Sequence, residues 1–166
     1  IDLILEVGAN TIRLAHYQQA QELYDLCDEK GLVIWAEIPY ISAHMDNGDA
    51  NTQSQMTELI RQNDNHASIV VWGLSNEITM MTPQSDDMLE NHKKLNDLAH
   101  RLDPTRPTTM ACVSMCPIDD PMAHISDVVS YNLYFGWYGG TVDMNGPWLD
   151  VWHEKYPNTP IGIREY

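Results

Sequence analysis

Two glutamates in this chain stand where a buried strand should meet solvent. Glu77 closes the tripeptide Ser75-Asn76-Glu77 behind the apolar run 69–74, IVVWGL. That run is β-branched and aromatic, carries no charge and has the length of a strand buried on both faces. Glu165 stands near the end of a second such run, 160–166, PIGIREY. A carboxylate at the C-terminal end of a buried parallel strand lies where α/β folds keep their chemistry. Taken alone, Asn76-Glu77 reads as the opening of a surface loop. The other strand ends change that reading, because they add His16, Glu37 and Tyr134.

Two carboxylates flanking one bond meet the requirement of glycoside hydrolysis. One protonates the leaving oxygen while the other attacks or activates water. Trp137, Tyr138 and Trp148 follow the Tyr134 strand, and aromatic faces suit the apolar faces of sugar rings. Trp35 and Trp72 lie inside strands and are assigned to the core; Trp137 is assigned to the site.

The elements that must position these groups alternate. Strands are predicted over 10–15, 32–38, 69–74, 107–113, 127–135 and 160–166. Helices are predicted over 18–30, from a Thr52-x-x-Gln55 capping box, from Thr82-Pro83 to Leu102, and over 147–155. Residues 1–7 read as the tail of a helix stopped by Gly8, and 114–123 as a loop with a helical turn. Six strands alternating with helices, without a hairpin signal, imply a parallel sheet with crossover helices. The pattern leaves a doubly wound sheet and a (β/α) barrel both open. No G-x-G-x-x-G or phosphate loop follows any strand, which weakens a nucleotide-binding reading.

Composition sets outer bounds. The 166 residues are 43% apolar and 20% charged, enough for one packed core and too apolar for a disordered chain. With 24 acidic against 9 basic residues the net charge is −15, a field that repels nucleic acid and anionic membranes. No run has the length of a membrane span. Residue 1 falls inside an apparent helix, so the start reads as a cut. Localisation therefore stays open between bacterial cytoplasm and periplasm. Cys27, Cys112 and Cys116 lack metal-like spacing and read as reduced or buried thiols.

Six stretches carry a resemblance: 8–17 (GANTIRLAHY), 25–39 (DLCDEKGLVIWAEIP), 72–77 (WGLSNE), 103–107 (DPTRP), 131–138 (YNLYFGWY) and 160–166. Together they resemble the catalytic barrel of glycoside hydrolase family 2, most closely its β-galactosidases, over the whole chain and in order. The resemblance implies a (β/α)8 TIM-barrel fold, here incomplete, with about six parallel strands and outer helices. By the family's layout, strands one and eight and the flanking sandwich domains are absent. It also implies a retaining exo-β-glycosidase, a β-galactosidase, from a multidomain parent that could oligomerise.

Role by role, the resemblance makes Glu77 the general acid/base and Glu165 the nucleophile. Asn76 would bond the sugar 2-hydroxyl and Tyr134 would hold the nucleophile. His16 and Trp137 would line the sugar subsite. Arg13 would orient a carboxylate, with Glu37 as its structural partner. Arg164 departs from the small residue usual before the nucleophile, and should either point into the barrel wall or crowd the site. Ile41 falls where the metal-dependent members carry a ligand, so no metal or other cofactor is expected; the runner-up metal pair would be Glu77 with His44. The competing readings are an inactive carbohydrate-binding barrel fragment and a flavodoxin-like module.

Overall fold

The computed structural model describes residues 1–165. Six strands form one sheet: β1 (Thr11–Leu14), β2 (Val33–Glu37), β3 (Ile69–Asn76), β4 (Thr108–Cys112), β5 (Val128–Asn132) and β6 (Ile161–Glu165). All neighbours are parallel and their order is sequential, β1 to β6. A sequential parallel order is singly wound, so the sheet is an incomplete (β/α) barrel. A flavodoxin-like sheet would reverse its order at a switch point, and this one does not.

The helices are α1 (Asp2–Glu6), α2 (Gln21–Lys30), α3 (Asp49–Asn63), α4 (Asp86–Leu102) and α5 (Asn145–Lys155), with a 3₁₀ turn at Pro121–His124. Two helix starts differ from their sequence signals. α3 begins at Asp49, and the Thr52 hydroxyl donates to the Asp49 carbonyl inside the first turn, 3.1 Å, rather than capping the helix. α4 begins after Ser85, whose hydroxyl accepts from the Met88 N–H at 3.2 Å. Thr82 is occupied instead: its hydroxyl accepts from the His44 N–H, 3.1 Å, tying the loop after β2 to the loop after β3.

Strand residues divide between two interiors. Ile34, Ala36, Trp72, Leu74, Met110, Cys112, Val129 and Tyr131 point outward and pack under the helices. Trp35, Val71 and Ala111 form a smaller cluster on the inner face. All three cysteines are free and buried. Trp72 is fully buried, and its indole N–H donates to Asp103 at 2.9 Å. Asp103 also receives Arg106 at 2.6 Å, so the 103–107 motif clamps the start of β4 against β3.

Candidate active site

The inner face carries polar residues at alternating positions toward the C-terminal strand ends. Arg13, Glu37, Asn76, Asn132 and Glu165 come from β1, β2, β3, β5 and β6 respectively. Parallel strands put these positions at one mouth.

Arg13 is the hub. Its Nε and Nη2 grip the Glu37 carboxylate as a fork, at 2.8 and 2.9 Å. Its Nη1 reaches Glu165 at 2.7 Å, tying the first strand to the last across the barrel interior. Its Nη2 also donates to Asn76 Oδ1 at 2.7 Å. Arginine has no acceptor, so this contact sets the orientation of the Asn76 amide and turns its nitrogen away as a donor. His16 Nδ1 donates to Glu37 at 2.9 Å. The Glu37 side chain is fully buried and its charge is met by three N–H groups from Arg13 and His16, as burial of a carboxylate demands.

Glu77 follows directly on β3. Its backbone φ is +47°, a left-handed conformation that a non-glycine residue adopts only under constraint. The constraints are visible: the Glu77 N–H donates to the Ala111 carbonyl, 2.7 Å, and its carbonyl accepts from Met80 N–H, 2.9 Å. Burial pushes the Glu77 carboxyl above the ordinary glutamate value; a hydrogen bond from Asn132 opposes this and the Glu165 charge adds to it. The rise matches the expectation for a group that must keep its proton.

Glu165 is held by Arg13 and by the Tyr134 hydroxyl, which donates to its other oxygen. Burial, then the bond to Glu165, drives the Tyr134 phenol well above its usual range, so it stays a donor. Beside Tyr134 an apolar cavity of about 250 Å³ opens, lined by Leu133, Phe135, Tyr138 and Gly139 among others.

The structure therefore brings together Arg13, His16, Glu37, Asn76, Glu77, Tyr134 and Glu165. Trp137 is not drawn in. Its ring is 77% exposed, and the aromatic that meets Tyr134 edge-on is Tyr138, at 4.9 Å. The Gly136 turn swings Trp137 outward. Trp148 belongs to packing: it lies in α5 against Tyr131 and Trp152. Asn132 was missed. Its Nδ2 donates to Asn76 Oδ1 at 3.2 Å, and its Oδ1 is buried without a partner among the described residues. The signal was present, since Ser130 and Asn132 are polar at period two in an apolar strand. His44 does not join Glu77: its ring nitrogens face Tyr40 and Asp87. Among the described residues, His44, Asp49 and Asp87 offer ligand atoms within 4.8 Å of one another, though His44 already pairs with Asp87 and Asp49 with Lys94.

The whole chain, residues 1–166, matches the family model for glycosyl hydrolases family 2, TIM barrel domain. The chain belongs to glycoside hydrolase family 2. Within it, the chain is 43% identical to a beta-glucuronidase of Bacteroides fragilis, over all of this chain and 24% of that protein. It is 38% identical to a putative beta-glucuronidase of Formosa agariphila, over 95% of this chain and 19% of that one. Among solved structures, an FMN-binding beta-glucuronidase from Facaelibacterium prausnitzii L2-6 superposes with TM-score 0.93 at 51% identity, covering 98% of this chain and 25% of its own. A putative beta-galactosidase from Bacteroides fragilis superposes at 0.91 with 39% identity, over 98% and 24%. The chain thus spans about a fifth to a quarter of the length of these relatives, which are far larger proteins.

Proposed function

We propose that this chain supplies the catalytic face of a retaining β-glycosidase. Glu165 is the nucleophile and Glu77 the acid/base. The Glu165 carboxylate attacks the anomeric carbon as the glycosidic C–O bond breaks, and the Glu77 proton passes to the departing oxygen. The resulting glycosyl ester is then opened by water, which returns its proton to Glu77. The observation that carries this reading is the contrast between the two carboxyls. One is pushed toward its protonated form by burial, while the other is held by a guanidinium and a phenol. Paired carboxyls with opposed environments are how one site runs acid and nucleophile chemistry together.

Asn76 and Asn132 are the groups for the sugar hydroxyls. Asn76 offers an amide N–H₂, and Asn132 Oδ1 is an orphaned buried acceptor that a hydroxyl would satisfy. His16 and Trp137 stay as candidate walls of the subsite, Trp137 only if its loop folds inward. The substrate we infer is a β-glucuronide rather than the β-galactoside that the motifs suggest. Its support is the name borne by the relatives of 43% and 38% identity and by the structure at 51%.

The test is hydrolysis of aryl β-glucuronide and aryl β-galactoside by the full-length protein containing this chain. The glucuronide should be preferred, and the first sugar released should keep the β configuration by NMR. Release of the α anomer would sink the retaining mechanism, and preference for the galactoside would sink the substrate assignment.

A further inference from the structure

The residue before Glu165 is a half-buried arginine on the inner face of the sheet. β5 and β6 pair in register as far as Tyr131 with Ile163, after which Asn132 faces Glu165. Arg164 is therefore the extra residue of a bulge, and the bulge lets two successive side chains, Arg164 and Glu165, both turn to the inner face. Arg164 folds back down the barrel rather than up into the mouth. Its Nε donates to Ser130 at 3.1 Å, and its guanidinium lies 4.0 Å from the centroid of the Trp35 ring. Arg13 lies over the same ring at 4.9 Å.

Two glycines make room for this arrangement. A Cβ on Gly73 would lie 2.2 Å from the Trp35 indole nitrogen and 2.4 Å from Glu37 Cβ; one on Gly162 would lie 3.0 Å from Arg164. Burial, with repulsion from Arg13, lowers Arg164 to about 10, still protonated at neutral pH. A desolvated cation beneath a second cation is costly unless the ring faces and carboxylates around it repay the cost.

We propose that Arg164 is a positioning residue: stacked on Trp35 and bonded to Ser130, it pins the bulge that aims Glu165 at Arg13 and Tyr134. Arg164 touches neither substrate nor reacting atoms. It acts through the backbone of its neighbour, and the kinetic side of this inference rests on Glu165 being the nucleophile.

The experiment has two arms, both on the full-length protein. Crystal structures of Arg164→Met should show the Glu165 carboxylate displaced from Arg13 Nη1 and the Tyr134 hydroxyl. Kinetics of the same variant should show kcat reduced by about 100-fold with KM within about twofold, since ~1 Å of misplacement has that effect on rate. Arg164→Lys keeps the charge without the planar fork, and should leave kcat low. If Arg164→Met does not fold, Trp35→Phe weakens the same stack in a filled core and is read the same way.

A Glu165 that keeps both contacts in the variant structure overturns the proposal. So does a variant whose melting temperature falls while kcat per folded molecule is unchanged. A wild-type protein without glycosidase activity would refute the functional reading alone, because the crystallographic arm needs no turnover.

Discussion

At the scale of single residues, Glu77 should show a conflict between stability and function. Its pKa in the folded chain is raised, chiefly by burial. The folded state therefore binds this proton more tightly than the unfolded chain, whose glutamates titrate near ~4.3. The associated stability is whole below that value and is lost as pH climbs through the folded pKa. Glu77→Gln removes a buried ionisable group and should melt higher than wild type at pH 7 to 8, with the gap closing near pH 4. The same substitution should lower kcat by about 10²–10⁴, the usual worth of general acid–base catalysis. Equal melting curves at both pH values would show that Glu77 is not constrained as described. Tyr134→Phe deletes one charge-assisted donor to Glu165. A hydrogen bond to a charged group is worth about 1.5–3 kcal/mol, so kcat should fall by about 10- to 100-fold with little change in fold. An unchanged kcat would remove Tyr134 from the machinery.

At the scale of elements, the mouth depends on how α4 holds β3. His92 is fully buried between them, with Nδ1 donating to the Met88 carbonyl, 2.8 Å. That leaves Nε2 as the acceptor for the Ser75 hydroxyl, 2.8 Å, directly before Asn76 and Glu77. Burial depresses His92 to about 4, so it is neutral when folded at pH 7. An unfolded histidine titrates near ~6.5, so the unfolded chain takes up the proton first as pH falls. His92 should therefore contribute a loss of stability between about pH 6.5 and pH 4, and none below. His92→Leu should flatten that part of the urea-derived stability profile. It should also cost about 1–3 kcal/mol at pH 7, because the Ser75 hydroxyl loses its acceptor. A second clamp is Asp103, held well below the usual carboxylate range by bonds from Thr105, Arg106 and Trp72 that outweigh its burial. Asp103→Ala leaves the half-buried Arg106 to its backbone acceptors and strands the buried Trp72 indole N–H; about 1–3 kcal/mol is expected by denaturant titration.

At the scale of the whole molecule, six strands make an open sheet whose edge strands are β1 and β6. Among the described residues, the Arg13–Glu165 ion pair joins them through side chains, without a backbone ladder. Edge strands with free N–H and C=O groups invite pairing with another chain, while a net charge of −15 opposes close approach. The balance should shift with salt. The 166-residue chain alone should associate increasingly as ionic strength rises and the charge is screened, as seen by light scattering. A monodisperse monomer at high salt and concentration would contradict this. Turnover by the isolated chain should be orders of magnitude below that of the full-length protein, because Glu165 sits on an edge strand.

What the sequence determined by itself was local and periodic. Apolar runs marked the six strands, and their C-terminal ends marked Glu37, Asn76, Glu77 and Glu165. The motifs carried the family, because they required these residue types in this order. Helix starts were less legible, since Thr82 and Ser85 offer equivalent hydroxyls ahead of α4 and only tertiary contacts decide which one caps. Strand order was not legible in the periodic pattern, only in the family resemblance: a βα rhythm is common to barrels and doubly wound sheets, and long-range pairing separates them. Likewise, the sequence showed Arg164 beside Glu165 without its direction. Counted from Gly162, period two puts Arg164 on the inner face and would put Glu165 on the opposite one. A one-residue bulge at Arg164 turned Glu165 inward as well, while Gly162 and the Trp35 face left room for the guanidinium. Trp137 went the other way, because a loop aromatic has no register to hold it. Residue type fixes what chemistry a group can do; the register of neighbouring strands decides whether it faces the site.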